Sequence, residues 1–396
     1  MQLKKYKLSD VAKTGSGGTP TSTRKEYYEG GTIPWINSGE LSQPFIKQTN
    51  NYITELGYNS SSTKIYPKND TVLLAMYGAT AGKASLLQMD ACTNQAICAI
   101  VPNKEIISPL FLKYKLDTIY SYLVGISTGS ARDNLSQTGI ANLSLSFPSI
   151  EEQNRIASML YSFDQKISLN RAINQNLEAL AKQLYDYWFI QFDFPDENGR
   201  PYKSSGGKMV WNERLKREIP ERWENKCIKD FLRIFTGKKD VSKAIPGEYK
   251  FFSCAPEPIT SNEYLYDGAA VLVSGNGSYT GRVNYYKGKF DLYQRTYACV
   301  IDNDYAISFF YYTLKNLFQP NFSGGKHGSS IPYIVLGDLA DFQFAYNEKI
   351  VTKYLNKING IFEMQFDNIK VIEDLTKQRD ELLPLLMNGQ VSVNSE

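Results

Sequence analysis

The sequence predicts an α+β protein in which two globular α/β blocks are joined by two long helices, paired as an antiparallel coiled coil, in a pseudo-twofold tandem repeat. Three observations predict it. Apolar residues step by four and three through residues 148–192 and again through 347–390. The second seam follows the first at a constant 195 positions, and the two blocks share a strand, glycine-turn, strand pattern at a constant 199 positions. A chain of 396 residues is too long for one ordinary core and allows two to three domains. The boundaries are a first block at 1–147, a first helix at 148–192, a second block at 193–346, a second helix at 347–390 and a tail at 391–396.

The first seam runs through Ile156, Leu160, Phe163, Ile167, Asn170, Asn174, Leu177, Ala181, Leu184 and Trp188. Pro148 and Ser149 stop the preceding chain and offer an N-cap, Glu151 and Glu152 suit the positive end of the helix dipole, and Phe192 to Pro195 breaks the helix. The second seam runs through Val351, Leu355, Ile358, Phe362, Gln365, Ile369, Ile372, Thr376, Arg379, Leu383 and Leu386. Asn170 and Gln365 hold the same step near the two midpoints, so antiparallel pairing predicts that they face each other and fix alignment at some cost in stability. Two amphipathic helices docked separately on the blocks are the simpler alternative; the length of the pattern favours pairing.

In the first block, residues 7–12 read as a short helix and turn, followed by the flexible loop Gly15 to Pro20. Arg24, Lys25, Tyr27 and Tyr28 then crowd a turn before the short strand Ile33 to Asn37. Such a loop can hold phosphates with Arg and Lys while Tyr, Ser and Asn reach base edges, or it can be a solvated turn with its tyrosines packed on the core. Thr71 to Met76 reads as a buried strand, Gly78 to Lys83 as a glycine-rich turn, Ala96 to Val101 as a second strand and Ser108 to Leu123 as a helix. In the second block Val271 to Arg282 repeats Val72 to Lys83, pairing Gly78 with Gly277, Gly82 with Gly281 and Lys83 with Arg282. Gln95, Ala99, Val101 and Phe111 recur as Gln294, Ala298, Val300 and Phe310. Between these shared positions the loops differ, as expected of one scaffold that reads two targets.

Net charge is +3, divided as +4 for residues 1–148, −2 for 149–195, +3 for 196–346 and −2 for 347–396. Polyanion binding therefore fits the blocks better than the helices. Five cysteines without a C-x-x-C pair argue against a zinc site or a disulfide framework. No apolar run approaches a membrane span, and the N-terminus lacks a signal-peptide core, so the sequence predicts a cytoplasmic protein without a membrane partner.

The chemistry of an enzyme is missing. The turn Gly78 to Lys83 has three residues between its glycines, and Ala84 follows the lysine, so it is not a nucleotide-binding P-loop. Gly275 and Gly277 form a weak G-x-G that the repeated turn explains. The lone histidine, His327, lies in a Gly/Ser/Lys loop without a triad or metal partner in the sequence. Neither Ile33 to Ile36 nor Ile331 to Ile334 supplies an N-P-P-Y-like methyltransferase tetrapeptide. The sequence reads as a binding protein with no catalytic residues, metal or cofactor. An autonomous DNA-modifying enzyme and a coiled-coil adaptor that never touches nucleic acid are the two competing classes.

Several motifs together resemble one family. They are Gly17 to Pro20 and Tyr27 to Trp35 in the first block, Pro148 to Ala157 entering the first helix, Leu177 to Leu180 and Trp188-Phe189 leaving it, and Arg379 to Gly389 near the C-terminus. In order and spacing the chain resembles the specificity subunit of type I restriction-modification systems over essentially its whole length. The second block departs from the pattern: it lacks the G-T-P and G-G-x-I-P-W runs. The resemblance implies a DNA-binding subunit of a restriction system in which each block is a target recognition domain for one half of a bipartite double-stranded DNA site. It further implies helices that set the spacing and dock two methylation subunits, restriction subunits in the cleaving complex, and DNA methylation and cleavage left to those partners. The expected DNA contacts are Thr19, Arg24, Lys25, Tyr27, Tyr28, Ser38, Lys83 and Arg132 in the first block, and Lys238, Lys239, Lys243, Tyr279, Arg282, Arg295, Lys326 and His327 in the second.

Overall fold

The computed structural model describes residues 2–128, 135–328 and 330–393. They form two compact units, one of residues 1–169 with 371–396 and the other of 170–370. Each unit thus holds one block and part of both long helices.

In the first unit the main sheet runs in the order Ala12–Ser16, Ile97–Pro102, Val72–Ala75, Ala84–Leu87, Phe45–Ile46, antiparallel except for the last pair. Side chains alternate across a strand, so Val72 and Leu74 face one side and Leu73 and Ala75 the other. Both sides are covered. Val72 and Leu74 pack with Phe111 and Leu112 of the helix Pro109–Thr118, and Leu73 and Ala75 with Ile36, Leu41 and Ala99. Double-sided burial is why this strand reads as one continuous apolar run rather than an alternating one.

In the second unit the order is Arg233–Thr236, Thr296–Val300, Tyr266–Ser274, Val283–Leu292, Tyr249–Phe252, Ile259–Ser261. Its first five strands have the neighbours and directions of the first unit's five. The register makes the equivalence residue by residue. Lys4 pairs with Phe147 as Glu224 pairs with Tyr346, and Gly15 with Ala99 as Phe235 with Ala298. The offset is therefore 220 positions before the first glycine loop and 199 after it, so the second block is 21 residues shorter in between. This identifies Gly17 with Gly237, although the flanking sequences do not match. A Cβ on Gly17 would overlap the Thr93 carbonyl, and one on Gly237 the Leu292 carbonyl at the equivalent place. Both positions need a glycine for the same close backbone approach.

The long helices span Ile150–Tyr185, continued by a π-turn at Asp186–Ile190, and Glu348–Met387. Inside the first unit Ile156 and Leu160 share a core with Leu386 and Met387, and Arg379 Nη1 donates to Asp164 Oδ1 at 2.6 Å. Inside the second unit Asn174 Nδ2 donates to the Gln365 carbonyl at 3.1 Å, and the rings of Tyr185 and Tyr354 meet edge to face at 6.2 Å. In each unit the numbers rise along one helix as they fall along the other, so the helices pair antiparallel. Ile156, Leu160, Ile167, Leu355, Ile358, Phe362 and Gln365 are buried, and Phe163, Asn170, Leu177, Leu184, Ile372 and Leu383 are half-buried. Asn174, one turn beyond Asn170, donates to the backbone carbonyl of Gln365. One detail of the seam needs correction: Ile369 is 36 % exposed, because the 195-residue match in sequence fixes a helix face but not what lies against it.

Candidate nucleic-acid interface

In both units the loops that differ most in sequence gather at one edge of the main sheet, tied by backbone hydrogen bonds that the two units share. Ala75 N donates to Lys83 O at 3.0 Å, Gly82 N to Ala75 O at 2.9 Å and Met76 N to Ala96 O at 2.8 Å. Their equivalents 199 positions on are Ser274 N to Arg282 O at 3.0 Å, Gly281 N to Ser274 O at 2.8 Å and Gly275 N to Arg295 O at 2.8 Å. Gly78, Gly82, Gly277 and Gly281 all have φ between 78° and 82°, a backbone state that ordinary side chains rarely adopt. The glycine-rich turn is thus a shape requirement of the repeat, which removes any need for a phosphate loop.

The first glycine loop joins this edge in each unit. Gly18 N donates to Thr93 O at 3.0 Å in the first unit, and Gly237 N to Tyr293 O at 3.3 Å in the second. Trp35 Nε1 donates to Gly18 O at 3.0 Å, and the Tyr28 hydroxyl to Pro20 O at 2.6 Å, so Tyr28 secures the loop. The Thr80 hydroxyl donates to Ser38 O at 2.7 Å, which brings the half-buried Ser38 beside the glycine-rich turn. In the second unit a further loop closes over the edge. Gly277 N and the Thr280 hydroxyl both donate to Pro332 O at 2.9 Å, and Ile334 N donates to Gly275 O at 2.9 Å.

Thr19, Arg24, Lys25 and Lys83 are exposed in the first unit. The Lys83 ammonium lies 4.5 Å from the centre of the Tyr120 ring, while the ion pairs of Arg24 and Lys25 with Glu26 and Glu29 are long, at 3.8 Å, and exposed. Arg132 lies outside the described residues. In the second unit Lys238, Lys243, Tyr279, Arg295, Lys326 and His327 are exposed. Among the described residues Lys238, Lys243 and Arg295 make no ion pair. Arg282 is half-buried over the Tyr279 ring at 5.8 Å, and its Nη1 is buried with no hydrogen-bond partner among the described residues. His327 Nε2 lies 3.0 Å from Asp338 Oδ2, and its ring packs on Tyr333 with centroids 5.3 Å apart.

Two of the expected contacts are placed elsewhere. Tyr27 is only 9 % exposed, and its hydroxyl accepts from Arg24 Nη1 at 3.3 Å; an aromatic ring in a basic turn served the core. Lys239 is half-buried between Glu263 and Asp291, 3.0 Å from the latter, because its isolated bridge to Tyr293 sets it beside carboxylates from distant segments. Charge already neutralised in this way adds little to phosphate binding. Conversely, sequence reasoning passed over Gln95 and Gln294, both exposed and both at this edge. Their recurrence at the 199-residue offset was the available signal.

Residues 2–179 and 220–346 match the family described as the type I restriction modification DNA specificity domain. The specificity subunit of the type I restriction enzyme MjaIX of Methanocaldococcus jannaschii is 28 % identical over 420 residues, covering 98 % of this chain and 93 % of that protein. The specificity subunit of the type I restriction enzyme EcoDI of Escherichia coli is 31 % identical over 181 residues, 44 % of this chain and 40 % of that one. Among solved structures, the S subunit of a type I restriction-modification system from M. genitalium superposes with a TM-score of 0.66 at 16 % identity, over 100 % of this chain and 97 % of that one, and so shares its fold.

Proposed function

The chain belongs to the type I restriction-modification DNA specificity family, and from that premise we propose how it reads DNA. It is a DNA-recognition subunit without catalysis of its own. Block 1–147 reads one half of a bipartite duplex target and block 193–346 the other, with the helices 148–192 and 347–390 setting the separation. The observation that carries this reading is the loop-bearing edge built twice with the same hydrogen bonds but different side chains. A shared frame keeps two readers in the same geometry, and unlike loops give them different bases to recognise. Thr19, Arg24, Lys25 and Lys83 in the first unit, and Lys238, Lys243, Tyr279, Arg282, Arg295, Lys326 and His327 in the second, supply phosphate and base contacts.

The helices carry a second role, the docking of two methylation subunits, to which restriction subunits add in a cleaving complex. Large apolar side chains left exposed along the helices support it. These are Leu169 and Val371 in the first unit and Leu180, Met364 and Ile369 in the second, between 36 % and 62 % exposed. No described helix is long and apolar enough to cross a membrane.

Two measurements test the reading. The purified chain should bind duplex DNA with an affinity that falls steeply with salt, the signature of phosphate contacts. Incubated with labelled S-adenosylmethionine it should transfer no methyl group unless methylation subunits are added. Methylation by the chain alone, or binding indifferent to salt, would refute it.

A further inference from the structure

The glutamine that recurs in both blocks is held differently in each. Gln95 and Gln294 occupy the same place, in the turn that leads into the strands Ile97–Pro102 and Thr296–Val300, and both are exposed beside the glycine-rich turn. Each touches a side chain of the first glycine loop. In the first unit the Thr19 hydroxyl donates to Gln95 Oε1, which leaves the amide NH2 free. In the second, Gln294 Nε2 donates to Asp240 Oδ2 at 3.4 Å, which leaves the amide carbonyl free. The second orientation is forced by chemistry. A carboxylate can only accept, so only the NH2 end of the amide can face it. Asp240 is held ionised: hydrogen bonds from the Ser242 backbone and hydroxyl, at 3.1 and 3.0 Å, keep its carboxyl below the ordinary value.

We propose that Gln95 and Gln294 are base-reading side chains of the two domains, and that Thr19 and Asp240 position them with opposite polarity. Gln95 presents a donor, suited to guanine O6 or N7 or thymine O4. Gln294 presents an acceptor, suited to the exocyclic amine of adenine or cytosine in the major groove. This rests on the DNA-reading function proposed above. A glutamine that merely fastened two loops would need no exposure and no repeated place beside the interface.

The test profiles methylation across a library of target duplexes by the full complex of this chain with its methylation subunits. Gln294→Ala should relax discrimination at one base pair of the second half-site by about tenfold or more, with the first half-site read as before. Gln95→Ala should do the converse. Asp240→Asn keeps the acceptor that caps Ser242 but can donate to the Gln294 carbonyl, so the amide turns and the preference at that base pair moves from amine-bearing bases toward guanine or thymine. A residue that only held the loop in shape would not move the preference in that direction. Unchanged reading of the other half-site reports that each variant is folded and assembled, and Gln294→Met, similar in length, replaces the alanine variant if that one does not assemble. Profiles identical to the parent in Gln294→Ala and Asp240→Asn overturn the proposal. A parent complex with no sequence preference overturns the DNA-reading function instead.

Discussion

The two units fasten the paired helices to their blocks by opposite means. In the first the fastening is ionic. Asp164, on the first long helix and 7 % exposed, accepts from the Tyr114 hydroxyl at 2.5 Å and from Arg379 of the second long helix at 2.6 Å, which joins block and both helices through one carboxylate. Burial and the neighbouring Asp164 charge push the Tyr114 phenol far above its ordinary value, so it serves only as a donor. In the second the fastening is aromatic. Tyr185, Phe189, Phe309, Tyr354 and Phe362 pack together, and Tyr185–Phe189 and Phe189–Tyr354 have ring centres 5.0 Å apart. The polar contacts there are mostly neutral, the Tyr185 hydroxyl to Thr313 Oγ1 at 3.1 Å and the Tyr312 hydroxyl to Gln365 Oε1 at 3.2 Å, with one partly exposed ion pair, Lys315 Nζ to Glu178 Oε1 at 3.5 Å. One backbone plan therefore tolerates either chemistry. The ionic version gains directionality and becomes vulnerable at a single residue, whereas the aromatic version spreads its stabilisation over many small contacts.

Single substitutions should expose that difference. Asp164→Ala leaves the Tyr114 hydroxyl without its partner and Arg379 paired with Asp380 alone, and should destabilise the first unit by about 3 kcal/mol; chemical denaturation followed residue by residue through hydrogen exchange would place the loss there, and a uniform change across both units would break the comparison. Tyr114→Phe removes one hydrogen bond to a carboxylate and should cost about 1.5–3 kcal/mol. Tyr354→Phe makes the same chemical change in the second unit with the opposite sign. The Tyr354 hydroxyl is buried without a hydrogen-bond partner among the described residues, so its removal should leave stability unchanged or raise it by about 1 kcal/mol. If both tyrosine variants lose stability equally, the ionic and aromatic distinction is unsound.

The smallest effect concerns thiols. Burial pushes Cys92 up to about 11 and Cys98 and Cys299 up to about 12, so these stay protonated at neutral pH and inert to alkylation. Cys227 and Cys254, both in the second unit, are partly exposed. Iodoacetamide on the native chain near pH 8 should label those two and spare the first unit entirely, as read by peptide mass spectrometry. Rapid labelling of Cys92 or Cys98 would show that the first core opens more readily than its packing indicates.

Much of this architecture was legible in the sequence, because it is written in local periodicity. The four-three stepping declares two paired helices, since only that spacing keeps one face of a helix apolar. The 199-residue recurrence of Gly78, Gly82 and Gln95 declares a duplicated sheet and turn, since a φ near 80° admits little but glycine. What only the tertiary structure decided lies wherever the partner is distant in sequence. The identity of Gly17 with Gly237 emerges from strand register, because neither loop sequence records which carbonyl its glycine must clear. Tyr27 turned inward and Lys239 was neutralised by Glu263 and Asp291, although both look like surface residues in the chain. That Asn174 reaches the Gln365 backbone carbonyl also follows only from the structure, because axial alignment is settled by the packing of whole helices. Residue types fix which faces must be hidden; through-space partners, set by register and packing, fix which individual side chains remain to do the work.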